Sequence, residues 1–212
     1  MRKREILLFD LDDTLLYTYR TGYQRVIYSL NKMSLELISM EEFKMVYGKI
    51  PFDECIIHWV GFKRKDEFIA YYEESKQFKA YEAIYNEKFF ADLLFSKFRL
   101  GIVTNTPVEK FENKLSEVNL DSSVFDYVLC NAQKPSPIGI LKAIQHFQAE
   151  KEKVIYIGDS YMDYEAALAA EVDFLAVTTG VTTKSEFEQS GLNYSCIFPT
   201  VEEIPEFLYQ TQ

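Results

Sequence analysis

Five aspartates, one threonine and one lysine in this 212-residue chain have the types and spacing for chemistry. Asp10, Asp12 and Asp13 fall within four positions, directly after the apolar run Ile6–Phe9. Thr104 closes a second apolar run, Lys134 opens the turn Lys134-Pro135-Ser136-Pro137, and Asp159 and Asp163 bracket Gly158-Asp159-Ser160-Tyr161-Met162-Asp163. Clustered carboxylates repel, and burying one costs several kcal/mol unless it is paired, protonated or bound to a metal. Asp10 and Asp12 lie two apart, so in extended chain they project to the same side. Carboxylate oxygens with no histidine or thiol nearby suit a hard cation, Mg2+ by preference. Magnesium, an ammonium and a hydroxyl donor are what the oxygens of a phosphoryl group need while charge redistributes. One aspartate can then act as nucleophile, giving an aspartyl-phosphate, while a second protonates the leaving oxygen and later activates water.

For these residues to meet, the elements carrying them must converge. Five apolar runs recur: EILLFD ends at Asp10, LGIVTN at Asn105, YVLCNAQ leads to Lys134, VIYIGD ends at Asp159 and DFLAVTTG at Gly180. Continuous rather than alternating apolar runs predict parallel strands buried on both faces. Helix-like segments separate them: Pro107–Val118 with Thr106 as N-cap, Pro137–Gln148 with Ile140, Leu141, Ile144 and Phe147 on one face, and the alanine-rich Tyr161–Ala170. The alternation predicts an α/β fold, a doubly wound parallel-sheet (Rossmann-like) core. Residues 15–86 break the rhythm and read as helices only, over Tyr17–Leu37, Met40–Tyr47, Phe52–Val60 and Lys65–Tyr85, punctuated by Gly48, Pro51 and Gly61. The expected organisation is a catalytic core of residues 1–14 and 87–212 with an inserted α-helical domain, 15–86. Such an insertion, after the first strand, would sit over the carboxyl ends of the sheet, where α/β proteins bind ligands.

Composition narrows the classes of partner. A net charge of −10 disfavours nucleic acid, and no apolar run approaches the roughly 18 residues of a membrane span. Beyond the basic N-terminus, Lys63-Arg64-Lys65 is the one tight basic run, read as a solvated helix start. A secretory signal is not expected, since the apolar run after Arg2-Lys3-Arg4 is short and ends in an aspartate. Cys55, Cys130 and Cys196 are odd in number and form no CxxC pair, which fits a reduced, cytoplasmic compartment. His58 and His146 sit in no metal-binding pattern and read as structural or surface residues.

Taken singly, each motif has an ordinary explanation as a cap or a turn; together and in order they resemble the haloacid dehalogenase-like superfamily of phosphotransferases. Asp10-Leu11-Asp12-Asp13-Thr14, Thr104-Asn105, Lys134-Pro135 and Gly158-Asp159-Ser160-Tyr161-Met162-Asp163 follow that family's pattern across the whole core, and the helical insertion looks like its helical cap. Closest in flavour are its phosphoglycolate phosphatase-like and pyrophosphatase-like branches. The resemblance implies that Asp10 is the nucleophile and Asp12 the general acid/base. It implies that Thr104 and the Asn105 backbone hold the phosphoryl group and that Lys134 orients and neutralises Asp10 and the phosphate. It also implies Mg2+ bound by Asp10, the Asp12 carbonyl oxygen and Asp159, with Asp163 in the outer shell. An aspartate at Asp12 favours phosphate-ester cleavage or transfer over the dehalogenase and phosphonate branches. Asp13 is given a turn or helix-capping role. In the helical insertion, Lys49 reads either as a solvated lysine in a turn or as the contact for an anionic leaving group. Tyr17 and Thr18 depart from the Asp and Ser that relatives often carry there.

These expectations describe a Mg2+-dependent phosphatase acting on a small phosphorylated metabolite, as a monomer or homodimer. Two rivals stand beside it: a phosphomutase, which returns the phosphoryl group to its substrate, and a phospho-accepting receiver domain, whose next candidate acceptor would be Asp53. A calcium loop from Asp10 fails at Leu15 and Thr21, and a P-loop fails because Ile50 follows Gly48-Lys49. If Asp10 and Asp12 stay close because a cation shares their charge, Mg2+ raises the melting temperature. Thermal scans with and without chelator test this, and coincident midpoints count against it.

Overall fold

Ile6, Leu7, Leu8 and Phe9 form β1 (Ile6–Phe9), and all four are fully buried, as the unbroken apolar run requires. The computed structural model describes residues 5–47, 50–78 and 80–211. After β1 come β2 (Leu16–Tyr17), β3 (Glu82–Ala83), β4 (Arg99–Val103), β5 (Tyr127–Leu129), β6 (Val154–Gly158), β7 (Asp173–Val177) and β8 (Ile197–Phe198). A six-stranded sheet has the order β5-β4-β1-β6-β7-β8, with every pairing parallel. The chain moves outward from β1 to β4 and β5, then returns to the other side of β1 for β6. That reversal opens a crevice at the carboxyl ends of the central strands, the usual ligand position in such sheets.

Alternate β1 side chains serve the two faces. Leu7 and Phe9 join Leu100, Ile102, Ile155 and Ile157 in one core layer. That layer is covered by α5 (Phe89–Phe95), α6 (Val108–Glu117) and α10 (Ile204–Thr211) through Leu93, Phe111, Leu115 and Ile204. Ile6 and Leu8 join Val103 and Tyr156 in the other layer, under α7 (Ile138–Phe147), α8 (Tyr161–Ala170) and α9 (Lys184–Gln189). The three expected core helices thus form. The short elements α5, α9, α10 and β8 were not anticipated from the sequence.

Residues 18–82 form a second compact unit. It holds α1 (Thr18–Lys32), α2 (Met40–Val46), α3 (Phe52–Val60) and α4 (Lys65–Ser75). Helices α2 and α3 match the expected positions, and α1 and α4 do so only in part. Helix α1 stops at Lys32 rather than Leu37, because Ser34 turns left-handed (φ 53°) and Leu35 N–H donates to Leu30 O (2.9 Å), closing the last turn. Ser39 caps α2 reciprocally with Glu42. Helix α4 stops at Ser75 rather than Tyr85, where N–H groups of Lys76, Gln77 and Phe78 bond three residues back instead of four. The region is also not purely helical: β2 and β3, the two chain crossings between units, pair as a two-stranded ribbon. Leu15, Leu16 and Ile84, read from sequence as part of the helical insertion, pack in the core layer of the sheet, so the units divide at 17/18 and 82/83 rather than at 14/15 and 86/87.

Aromatic rings hold the helical unit together. Phe43, fully buried, stacks on Tyr47 (ring centroids 4.3 Å) and Trp59 (5.6 Å) and meets the edge of Tyr23 (5.4 Å). Truncating a buried phenylalanine typically costs about 3–5 kcal/mol. Phe43→Ala is expected to lower the urea midpoint of this unit by a loss of that size, read through the fluorescence of Trp59, the chain's single tryptophan. An unchanged midpoint would show that the ring stack is not what holds these helices.

Candidate active site

The strand tips bring the predicted residues together. Asp10 extends β1 by one ladder step, its N–H donating to Ile157 O (2.9 Å), which fixes its backbone beside β6. Thr104 extends β4 in the same way, donating to Leu129 O (2.9 Å), and its own carbonyl accepts from Ala132 N (3.0 Å). This second bond draws the loop after β5 alongside Thr104. The Asn105 side chain then clamps the Lys134 backbone: Oδ1 accepts from Lys134 N (2.7 Å) and Nδ2 donates to Lys134 O (3.2 Å). So held, the Lys134 ammonium is nearly inaccessible. Its Nζ lies 2.7 Å from Asp10 Oδ1 and donates to Asp163 Oδ1 (2.5 Å). Tyr156 supports this pair from β6, its ring 5.6 Å from Nζ, its hydroxyl donating to Val103 O (2.7 Å) and lying 3.2 Å from Asp163 Oδ1.

Asp163 stands in the first turn of α8 and completes a capping box with Ser160. Its Oδ2 accepts from Ser160 N (3.0 Å) and Ser160 Oγ (2.6 Å). Two glycines make room. A Cβ at Gly158 would lie 2.5 Å from Asp163 Cβ, and a Cβ at Gly180 would lie 1.8 Å from Asp159 Oδ2. Neither position admits any other residue with the site intact. Thr14 Oγ1 donates to Asp159 Oδ1 (3.3 Å), and Thr179 Oγ1 donates to the Asp13 carbonyl, tying the β7 loop to the first motif.

The charges do not balance without help. Burial pushes Asp10 up to about 6; Asp163 and Asp12 push the same way, against Lys134. Burial, then Asp163, Asp13 and Asp10, hold Asp159 well above the ordinary carboxylate range. Burial works against the Lys134 ammonium, but Asp10 and Asp163 outweigh it and hold the group charged. Burial likewise pushes the Tyr156 phenol well up, so it remains a donor. Carboxylate oxygens of Asp10, Asp159 and Asp163 lie within 4.8 Å of one another. Asp10 Oδ1, although close to Lys134, is buried and accepts no aligned hydrogen bond. A buried oxygen without an aligned donor, beside two further carboxylates and no nitrogen or sulfur ligand, fits a hard divalent cation.

The other expected residues fall differently. The Asp12 carboxylate is outside this trio; it turns to the Thr106 hydroxyl and the Lys114 ammonium. Thr106 therefore does not cap α6; Pro107 holds the N-cap position and no side chain closes it. Asp13 takes the turn role, one of the two expected for it, with φ 56°. Lys49 lies outside the described residues. Sequence reasoning missed Lys114 and Tyr156 and gave Gly180 no role beyond closing an apolar run; Tyr156 carried a signal, as a phenol inside an otherwise apolar strand.

Fold and site together define an α/β enzyme of the phosphatase class. The model of the haloacid dehalogenase-like hydrolases matches residues 7–177. A phosphoglycolate phosphatase from Colwellia psychrerythraea is 25% identical over 224 aligned positions, covering 96% of each chain. Pyrophosphatase PpaX from Listeria monocytogenes is 27% identical over 194 positions, 82% of each. The crystal structure of a predicted phosphoglycolate phosphatase from Haemophilus somnus covers 100% of both chains with a TM-score of 0.77; at 22% identity this likeness shows the fold. The chain belongs to the haloacid dehalogenase-like hydrolase family, in its phosphoglycolate phosphatase-like branch.

Asp10 yields a pH prediction for the metal-free protein. Its folded pKa, about 6, lies above the ordinary value of 3.8, so protonation stabilises the fold below that lower value and the gain is lost as pH rises through about 6. The loss is about 3 kcal/mol at most. Asp10→Asn is expected to remove this part of the pH dependence and to be the more stable protein at pH 7. Urea titrations in chelator on either side of pH 6 check it; parallel curves for variant and parent would contradict it.

Proposed function

We propose that this chain is a Mg2+-dependent phosphatase that hydrolyses a small phosphorylated metabolite through an aspartyl-phosphate on Asp10. The observation that carries the reading is the buried Lys134 ammonium 2.7 Å from Asp10, within a set of three carboxylates whose oxygens lie within 4.8 Å. Mg2+ held by Asp10, the Asp12 carbonyl oxygen and Asp159, with Asp163 behind, would supply charge neutralisation for the phosphoryl oxygens. A carboxylate oxygen of Asp10 attacks phosphorus and the bond to the leaving oxygen breaks, with Asp12 delivering the proton to that oxygen. Asp12 then takes a proton from water; the water oxygen bonds phosphorus, the Asp10–phosphorus bond breaks, and orthophosphate leaves. Thr104 and the Asn105 backbone N–H hold the phosphoryl oxygens, while Lys134 orients Asp10 and offsets the phosphate charge.

The helical unit enters the chain between β1 and β4, at the carboxyl side of β1, and this insertion point supports its role as a cap that selects the leaving group. Lys49 remains the proposed contact for an anionic leaving group. Phosphoglycolate and pyrophosphate, from the names of the relatives, are the first substrates to try. A cytoplasmic setting is proposed, in keeping with three free thiols, with the chain acting as a monomer or homodimer. No helix among the described residues is long and apolar enough to cross a membrane. Asp53, the acceptor a receiver domain would use, lies exposed on helix α3 rather than at the end of a strand, and pairs with Lys65 (2.6 Å).

A screen of phosphorylated metabolites with Mg2+ is expected to release orthophosphate, and Asp10→Asn to lower turnover by about three orders of magnitude or more. An isomerised sugar phosphate in place of orthophosphate would make the chain a mutase. Wild-type rates in the variant would remove Asp10 as nucleophile.

A further inference from the structure

Lys114 is absorbed by no motif, yet only 13% of its side chain is exposed. It sits six residues into α6, about 9 Å along the axis from the first helical residue, Val108. Helical side chains lean toward the amino end of their helix, which for α6 is the end beside the carboxyl tip of β4. The extended lysine therefore delivers its ammonium to the strand tips rather than to solvent. There Nζ bonds Asp12 Oδ1, while the Thr106 hydroxyl donates to Asp12 Oδ2. Lys114 Nζ also lies 3.4 Å from Thr106 Oγ1, so the three groups touch one another.

A carboxylate has about four lone-pair sites, and donors on its two oxygens leave the others in fixed directions. Asp12 needs such a hold more than Asp10 does. About 30% of its side chain is exposed, it stands outside the metal-binding trio, and Lys134 does not reach it. Proton transfer to a leaving oxygen or from water demands placement to about 0.5 Å.

We infer that Lys114, with Thr106, is a positioning residue for Asp12, clamping its carboxylate from both oxygens in the orientation that both proton transfers use. This rests on the reading of Asp12 as general acid and base. Without the clamp, only steps that move a proton through Asp12 slow down. Formation of phospho-Asp10 from an ester whose alcohol leaves unprotonated is spared; breakdown of phospho-Asp10 by water is not.

The test uses the full chain with Mg2+ and two aryl esters of nearly equal shape. p-Nitrophenyl phosphate loses an anion that needs no proton, whereas phenyl phosphate loses a far more basic one. For Lys114→Met, kcat/KM on p-nitrophenyl phosphate is expected to stay within about threefold of wild type and on phenyl phosphate to fall about 10–100-fold, part of what a general acid contributes. Turnover on both falls at least about tenfold, with a p-nitrophenol burst as phospho-Asp10 accumulates. Lys114→Arg restores most of the loss. Thr106→Val gives a weaker version of the same split and decides the matter if the methionine variant is unfolded in a thermal scan. Equal losses in kcat/KM on the two esters, or no loss on either, overturn the clamp. Asp12→Asn must show the same split more strongly; if it keeps wild-type turnover on both esters, the acid/base reading of Asp12 fails, whatever Lys114 does.

Discussion

A lysine ammonium sealed between two aspartates is the constraint around which this enzyme is arranged. Lys134 cannot remain charged at 3% side-chain exposure unless Asp10 and Asp163 both face it. Each partner is brought by a different element: Asp10 by the tip of β1, Asp163 by the first turn of α8, and Lys134 by a loop beyond β5. Asn105 fixes that loop through its backbone, and Tyr156 supports the pair from below. The ion pairs are thus a three-point joint that sets the distances within the crevice. Removing Lys134 would leave its buried carboxylates without their cation, which is far more costly than never having buried them.

The sheet order makes this joint possible. With β1 central and its neighbours β4 and β6 drawn from opposite windings, three strand tips arrive side by side with no side chain longer than a lysine needed to connect them. Burial first, and then the acidic surplus that results, raises the pKa of Asp10 and Asp159, and one Asp10 oxygen is left without an aligned donor. That same surplus suits the divalent cation proposed for the site, whose binding would relieve the charge crowding of the metal-free protein.

The sequence made the core legible because buried parallel strands are continuous apolar runs, and five of the six sheet strands were visible as such. Their polar ends named Asp10, Thr104, Lys134, Asp159 and Asp163 with no knowledge of geometry. What stayed hidden has physical causes. Strand β8 and ribbon strands β2 and β3 span two residues each, too few for a pattern. The overlong readings of α1 and α4 failed because Ser34 and Ser75 end helices through backbone and hydroxyl bonding rather than through a glycine or proline. Thr106 reads as a helix cap in one dimension and turns out to bond Asp12, because a hydroxyl before a proline serves either purpose. Lys114 was unreadable: a lysine on an amphipathic helix declares nothing about where a flexible stem will carry its charge.

The two glycines beside the acidic tips place an unusual restriction on how this chain can drift. At Gly180 the nearest foreign atom to a methyl would be 1.8 Å away, a carboxylate oxygen of the cation trio itself. The position lies in a loop after β7, outside every strand and helix, where substitution would ordinarily be tolerated. One added carbon there would displace Asp159 and leave the sheet, its layers and its helices standing. Lineages that abandon the chemistry while keeping the scaffold therefore have a single-step exit at this codon, and a paralogue bearing alanine or serine there would be read as a binding protein before any assay is run.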